Sequence, residues 1–219
     1  MPRESKASKQ ARAAIVAQRM SERYPERQAL LKHRDAFTLT ISVLLSAQTT
    51  DAAVNKVTPE LFSRWPSPEA MAQADPLEIE KIIRSIGFYR VKAKSCIACA
   101  QKILTDFGGE VPRTMKELTS LPGVGRKTAN IILNSAFDIV EGIAVDTHVF
   151  RIAHKLGLSP HTSDTPDKTE RDLLEVLPKE AWGPINRQWV LFGREICTAR
   201  KPRCAECPIN DLCPSARAI

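Results

Sequence analysis

Apolar residues recur along this chain at the three- and four-residue spacing of amphipathic helices, and no sustained alternation of period two appears. We therefore predict an all-α protein. The β-branched content of residues 37–45 leaves a strand possible there, although the spacing favours a helix. The polar residues 1–12 are expected to fray ahead of a first helix at 13–23. Further helices are predicted over residues 91–105, 167–177 and 184–197.

Local signals mark where several of these helices begin and end. Ser67-Pro68 and Asp75-Pro76 each place a capping side chain before a proline at the first helical position. Thr114-x-x-Glu117 is typical of a capping box, and it opens a short helix that ends near residue 121. Glycines follow the apolar stripes at Gly87 and Gly108, where a helix should stop.

Residues 121–128, Leu-Pro-Gly-Val-Gly-Arg-Lys-Thr, link this short helix to the next one. Gly123 and Gly125 permit a sharp turn with main-chain N–H groups that no Cβ covers, and the following helix directs its positive end to the same place. An anion such as phosphate suits this turn, but the GxxxxGK[ST] spacing of nucleotide loops is absent. Taken alone, the motif is also compatible with a turn in which Lys127 merely contacts phosphate.

The charge balance favours a polyanionic partner. The chain has 32 Lys and Arg against 25 Asp and Glu, a net charge of +7. Its longest apolar run, residues 37–45, is too short for a membrane span and is broken by hydroxyl residues, so no membrane partner is expected. The basic N-terminus leads into no signal-peptide core. We expect a cytoplasmic, nucleoid-associated protein that acts as a monomer.

Four of the six cysteines, Cys197, Cys204, Cys207 and Cys213, follow the spacing C-x6-C-x2-C-x5-C. Four thiolates this close can surround one inorganic core, and an iron–sulfur cluster is favoured over zinc or disulfides, because only one C-x2-C knuckle is present. The basic residues Arg200, Lys201 and Arg203 lie between the first two ligands, where they could face a phosphate backbone. Cys96 and Cys99 fall within a predicted helix and are expected to be buried thiols.

With both motifs in one chain, the sequence resembles the endonuclease III family of helix-hairpin-helix DNA glycosylases. The resemblance covers residues 29–213 and includes Leu-Leu-Ser-Ala-Gln-Thr-Thr-Asp at 44–51 and Ala-Val-Asp-Thr-His at 144–148. It implies a six-helix barrel domain over residues 29–139, with the helix-hairpin-helix at about 114–136. It also implies a [4Fe-4S] cluster domain made of residues 1–28 and 140–219, with the cluster loop at 197–213.

The same resemblance implies a catalytic lysine and aspartate, which are Lys127 and Asp146 here. The expected activity is that of a bifunctional DNA glycosylase and AP lyase, which removes oxidised pyrimidines from duplex DNA through a lysine Schiff base and cleaves the 3′ side by β-elimination. A carboxylate would stabilise the positive charge that builds on the sugar. Asp146 could also be only a helix cap, since Asp-Thr is a common helix start.

The partner implied by the resemblance is double-stranded DNA with a damaged base or an abasic site. Because the base must leave the duplex, side chains should fill the gap, and the family's residues for this map to Gln48 and Phe88, with Ile86 adjoining. Phe88 departs from the leucine of the family pattern. The hairpin residues expected to contact DNA are Gly123, Val124, Gly125, Arg126 and Thr128.

Three competing hypotheses share some of these features. The adenine-specific mismatch glycosylases lack the hairpin lysine and carry an acidic residue in the helix before the glutamine, whereas residues 37–47 contain no carboxylate. A non-catalytic DNA-binding module would use the hairpin and the basic loop for backbone recognition alone. A zinc-dependent regulator would use the four cysteines without iron.

Overall fold

The computed structural model of the chain describes residues 4–25 and 30–216, and its regular structure over these residues is helical throughout, with no β-strand. The prediction of an all-α fold is confirmed. Residues 37–45 form a helix, and short 3-10 turns occur at Lys179–Ala181, Cys204–Glu206 and Asn210–Leu212. The α-helices are α1 Lys6–Arg23, α2 Ala36–Leu45, α3 Asp51–Arg64, α4 Pro68–Ala72, α5 Pro76–Ile82, α6 Tyr89–Phe107, α7 Met115–Leu118, α8 Arg126–Phe137, α9 Thr147–Lys155, α10 Pro166–Val176 and α11 Ile185–Glu195.

The chain forms two compact units, each with its own hydrophobic core. One unit is Ala29–Ile139, which carries α2 to α8. The other combines Met1–Gln28 with Val140–Ile219, and it carries α1 and α9 to α11. The first unit contains the glycine hairpin, and the second contains the four-cysteine loop.

Helix α2 is the central element of the Ala29–Ile139 unit, since nine of its ten residues are buried. Two of its three buried hydroxyl residues bond back to the preceding turn, whereas Ser42 Oγ meets no hydrogen-bond partner among the described residues. Thr40 Oγ1 donates to the Ala36 carbonyl at 2.7 Å, and Thr38 forms a capping box with Asp35. Residues 37–45, whose apolar run is interrupted by hydroxyl residues in the sequence, therefore lie in a buried helix.

In the other unit, α1 packs against the C-terminal helices around the fully buried Met20, Trp189 and Phe192. The prediction that residues 1–12 fray is wrong for the helix from Lys6 onward, while residues 1–3 lie outside the described part of the chain. Ser5 caps this helix, and Arg12 donates to the carbonyl of Leu156 at 2.7 Å. The local cap and the long-range bond from Arg12 stabilise the polar first turns of α1, which have no apolar stripe of their own.

The predicted helix starts at Ser67, Asp75 and Thr114 are confirmed, since each side chain accepts a hydrogen bond from the first turn of its helix. The predicted stop at Gly108 is also confirmed, with φ of 61° at the end of α6. Residues 139–145 form no strand and lead irregularly into α9.

Candidate nucleic-acid interface and metal centre

The hairpin at residues 121–125 has a buried apolar side and an exposed glycine side. Leu121 and Val124 are buried, whereas Gly123 and Gly125 are exposed. Gly123 has φ of 80°, and a Cβ built there would lie 3.0 Å from Leu44 Cδ1 and 3.6 Å from Ser95 Cβ, so the turn packs closely on α2 and α6. Only glycine fits this position without strain.

Gly125 is the N-cap residue of α8, and as a glycine it provides no side chain to cap the helix. Within residues 4–25 and 30–216, the backbone N–H groups of Gly123 and Gly125 meet no hydrogen-bond acceptor. The N–H of Val124, by contrast, donates to the Leu121 carbonyl at 3.1 Å, and its side chain is in the core. Val124 therefore has a structural role in the turn, and its expected DNA contact stays a prediction.

Lys127 lies in the first turn of α8 and is half-buried, between the exposed Arg126 and the half-buried Thr128. The buried face of α8 is formed by Ala129, Ile132 and Leu133 together with Asn130. This face fixes the helix against the core, so the first turn presents Lys127 beside the hairpin N–H groups. The first turn contains no acidic residue, which leaves the positive end of the helix for an external anion.

Gln48 and Phe88 lie in two adjacent turns of the same unit, and both have left-handed backbone conformations, with φ of 53° and 59°. A Cβ built on Gly87 would lie 4.0 Å from the Gln48 carbonyl oxygen, which shows how closely the turns approach. Gln48 is exposed, and Phe88 is 66% exposed although it is a large apolar residue. Such conformations are strained for non-glycine residues and often mark functional positions.

Ile86 differs from this pair because it is only 1% exposed and packs in the hydrophobic core. The DNA contact expected of Ile86 stays a prediction, and this burial does not favour it. Its buried side chain anchors the turn from which Phe88 projects.

Asp146 lies in the other unit, where it is the N-cap residue of α9. Its Oδ1 accepts hydrogen bonds from the backbone N–H groups of His148 at 2.9 Å and Val149 at 2.8 Å. The capping role raised by the sequence is confirmed. It fixes the orientation of a half-buried carboxylate.

His148, on the same helix, has its Nδ1 3.4 Å from the guanidinium of Arg151. A Cβ on Gly193 would lie 2.5 Å from that nitrogen, so a glycine in α11 is needed for α9 to approach. The histidine is therefore packed and hydrogen-bonded.

The four cysteines of the C-terminal loop line one cavity of about 460 Å³, counted with its opening to solvent. All six cysteines are thiols, which excludes the disulfide alternative in this structure. Among the described residues, no three His, Cys, Asp or Glu side chains are placed to hold a single metal ion. The C-x6-C-x2-C-x5-C spacing, with a single C-x2-C knuckle, suits an iron–sulfur cluster better than a structural zinc site.

Polar bonds hold the cavity walls in place. Arg151 donates to the Cys197 carbonyl at 2.7 Å, and Arg19 donates to the Pro208 carbonyl at 2.9 Å and pairs with Asp211. Burial raises the pKa of Cys207 to about 11, and a metal core would bind this residue as the thiolate. The residues present therefore fit a [4Fe-4S] cluster, with Cys197, Cys204, Cys207 and Cys213 as ligands.

The basic residues of the loop differ in their surroundings. Arg200 and Lys201 are exposed. Arg203 is also exposed, but it donates through Nε to the Glu195 carbonyl at 3.0 Å and pairs with Glu206 at 3.3 Å. Its guanidinium ties the loop to the end of α11, so its expected phosphate contact would compete with these bonds.

Two features were not found by sequence reasoning. Lys92 is buried on α6 and bonds to the turn that carries Gln48. The sequence could have indicated this, because Lys92 belongs to the apolar stripe that continues through Cys96 and Cys99. A lysine in such a stripe must find polar partners. Arg151 gave no comparable signal. Cys96 and Cys99 are buried, as predicted.

Comparison with known proteins identifies the class. The family model described as HhH-GPD superfamily base excision DNA repair protein matches residues 41–179, and the model of the iron–sulfur binding domain of endonuclease III matches residues 197–213. The helical fold and the hairpin thus define a helix-hairpin-helix DNA repair protein. Among the described residues, no helix is long and apolar enough to cross a membrane.

Individual relatives narrow the class further. The endonuclease III of Synechocystis sp. is 45% identical over 97% of this chain and 96% of its own length. That of Escherichia coli is 40% identical over 90% of this chain and 92% of its own. A solved structure of a trapped endonuclease III–DNA covalent intermediate superposes with a TM-score of 0.89 at 39% identity, and the match covers 99% of both chains. The chain belongs to the endonuclease III family.

Proposed function

We propose that this protein is a bifunctional DNA glycosylase and AP lyase of base excision repair that removes oxidised pyrimidines from duplex DNA. The observation that carries the proposal is the position of Lys127, in the first turn of a helix whose N-terminus has no side-chain cap and follows two exposed glycine N–H groups. A DNA phosphate bound at these N–H groups would bring the adjoining sugar to the lysine. The covalent endonuclease III–DNA complex of the relative supports a nucleophilic role for such a residue.

In the proposed reaction, the neutral Nζ of Lys127 attacks C1′ of the damaged nucleotide. The C1′–N bond breaks, and its electron pair leaves with the base, which is then protonated. Opening of the sugar ring gives a Schiff base, whose C2′ proton is lost as the 3′ C–O bond breaks. Hydrolysis of the Schiff base releases the unsaturated sugar and restores the lysine.

Asp146 is the proposed carboxylate partner of this reaction. Its charge would stabilise the cationic sugar, and it would accept a proton during nucleophilic attack. The two hydrogen bonds that Oδ1 accepts from the α9 backbone hold the carboxylate in one orientation. Helix capping and catalysis are compatible in this residue.

Gln48 and Phe88 are proposed to occupy the space left when the damaged nucleotide leaves the stack. The exposed aromatic ring of Phe88 has a π-face on which a base can stack, and the Gln48 amide can both donate and accept hydrogen bonds. The exposed Arg200 and Lys201 would contact the phosphate backbone. When bound, the iron–sulfur core would brace this basic loop through the four cysteine ligands.

The cellular setting is part of the same proposal. A net charge of +7 supports a nucleoid-associated, cytoplasmic location. The occurrence of the hairpin and the cysteine loop in one chain supports a monomeric enzyme.

Borohydride trapping on DNA with an abasic site tests the mechanism. The wild type should form a covalent complex, and Lys127→Ala should form none. Lys116→Ala is a matched control, because Lys116 is an exposed lysine of α7 in the same helix-hairpin-helix. A wild type that does not trap, or a Lys127→Ala protein that does, contradicts the proposal and favours a non-catalytic DNA-binding module.

A substrate comparison tests specificity. Excision should be faster from duplexes carrying an oxidised pyrimidine than from those carrying uracil. Equal rates on the two substrates would contradict the assigned preference while leaving the lyase mechanism intact.

A further inference from the structure

Lys92 stands apart from the other basic residues of the described ranges, because it is the one lysine or arginine among them that is buried, with 6% of its surface exposed. Its Nζ donates to the Leu45 carbonyl at 2.9 Å and to Thr49 Oγ1 at 2.8 Å. Leu45 is the last residue of α2, where the helix dipole favours a cation. Burial lowers the pKa of Lys92, and these bonds offset part of the cost of placing an ammonium group there.

The two acceptors of Lys92 bracket the turn that contains Gln48. Leu45 ends α2, and Thr49 directly follows the left-handed Gln48. Thr49 N–H also donates to the Ser46 carbonyl at 3.0 Å, which closes the turn. The ammonium group therefore spans the turn from inside the protein.

The backbone of the same lysine is bonded to the second turn. The N–H of Lys92 donates to the carbonyl of Phe88 at 3.0 Å, in the first turn of α6. The preceding Gly87 lies against the Gln48 carbonyl. One residue thus connects both left-handed positions, through its side chain to one and through its main chain to the other.

We propose that Lys92 is a positioning residue that couples the Gln48 and Phe88 turns, so that both side chains enter the duplex as one rigid unit. This inference rests on the proposed function, which assigns those two residues to the space left by the extruded nucleotide. Left-handed glutamine and phenylalanine residues persist only where their surroundings hold them. Lys92 is too deeply buried to contact DNA, so it acts only through the turns.

The test replaces Lys92 with methionine, which keeps the length of the side chain and removes the ammonium group. Lys102→Met is the matched control, since it makes the same change on the same helix at a lysine that pairs with Asp106. Three quantities are measured for each variant: single-turnover excision of an oxidised pyrimidine from duplex DNA, fluorescence of 2-aminopurine beside the lesion as a report of base extrusion, and borohydride trapping on single-stranded abasic DNA.

Lys92→Met should slow duplex excision by about tenfold, as expected for the loss of a hydrogen bond to a charged group, and should weaken the 2-aminopurine signal to a similar degree. Trapping on single-stranded abasic DNA, which needs no gap to be filled, should stay within about twofold of wild type. Lys102→Met should match the wild type in all three measurements.

Thr49→Val keeps the inference testable if Lys92→Met does not fold. It removes one of the two acceptors of Lys92 and should reproduce the selective duplex defect at about threefold. Wild-type duplex excision by either folded variant overturns the inference, and so does an equal loss on duplex and single-stranded DNA, which would indicate a purely structural role. A wild-type protein that traps no abasic DNA instead overturns the proposed function and removes the basis of the inference.

Discussion

The two glycines of the hairpin should respond in opposite ways to alanine, because their backbones and surroundings differ. Gly123 has φ of 80°, and an added Cβ would lie 3.0 Å from Leu44 Cδ1 and 3.2 Å from Leu44 Cγ. Gly125 has φ of −91° and ψ of 176°, an extended conformation open to any residue, and a Cβ there would meet no atom within 4 Å. One position is restricted by the fold and the other is not.

The expected cost of Gly123→Ala follows from two effects. A left-handed alanine costs about 1–2 kcal/mol, and crowding the buried Leu44 costs about 1–3 kcal/mol. We take a total of about 3 kcal/mol, which lowers the Tm by about 6–12 °C for a chain of this size. Gly125→Ala should change stability by less than about 1 kcal/mol, since the restriction of the unfolded chain is offset by the poorer N-cap preference of alanine.

DNA binding should show the reverse order of effects. A methyl group on Gly125 would stand beside the exposed N–H groups and keep a phosphate oxygen away, at a cost of about 1.5 kcal/mol or more, which is at least about a tenfold loss of affinity. Thermal unfolding followed by circular dichroism and fluorescence anisotropy with an abasic-analogue duplex measure the two quantities. Wild-type affinity in Gly125→Ala would refute the phosphate-binding role of the hairpin. A wild-type Tm in Gly123→Ala would refute the steric argument.

Three further predictions concern Asp146, the cysteine ligand Cys204 and the two buried thiols of α6. Asp146→Asn should keep the α9 cap and the wild-type Tm while excision falls by about a hundredfold or more, whereas Asp146→Ala should also cost about 1 kcal/mol of stability. Cys204→Ala should lose the visible absorbance of the iron–sulfur protein on purification and unfold at lower temperature; an unchanged iron content would contradict the ligand assignment. Burial raises the pKa of Cys96 and raises that of Cys99 to about 12 from an ordinary value near 9. Between about pH 9 and pH 12 the unfolded chain therefore loses thiol protons that the folded chain keeps. The free energy of unfolding, measured by urea denaturation, should fall as pH rises, by up to about 1.4 kcal/mol per pH unit for each thiol. In Cys99→Ala this fall per pH unit should be smaller.

The helix starts could be predicted from the sequence because a cap is a local device. Asp75 and Thr114 bond to the first turn of their own helices, so a few adjacent residues contain the whole signal. The start of α1 at Lys6 could not be predicted in this way. Its segment is polar and depends on bonds such as that from Arg12 to the Leu156 carbonyl, 144 residues away in sequence.

The residues of the candidate site likewise fall into those with a local sequence signal and those that depend on long-range contacts. The hairpin, Lys127 and the four cysteines form compact motifs, whose residue types and spacing indicate their chemistry. Lys92 and Arg151 act through backbone carbonyls that fold back onto them from other elements. A carbonyl is present in every residue, so the sequence does not reveal which one a buried cation will meet.

Three non-glycine residues with positive φ show which strained backbone positions indicate function. Asp138 has φ of 55°, but it ends α8, and aspartate tolerates this conformation better than most residues, so helix termination explains it. Gln48 and Phe88 have no such explanation, since their side chains gain nothing from a strained backbone in the isolated protein. Each costs about 1–3 kcal/mol, and both are held by the same buried lysine. This backbone strain is explained if the two exposed side chains must be presented to DNA in fixed positions. The coupling through Lys92 should therefore affect base extrusion rather than the chemistry at Lys127.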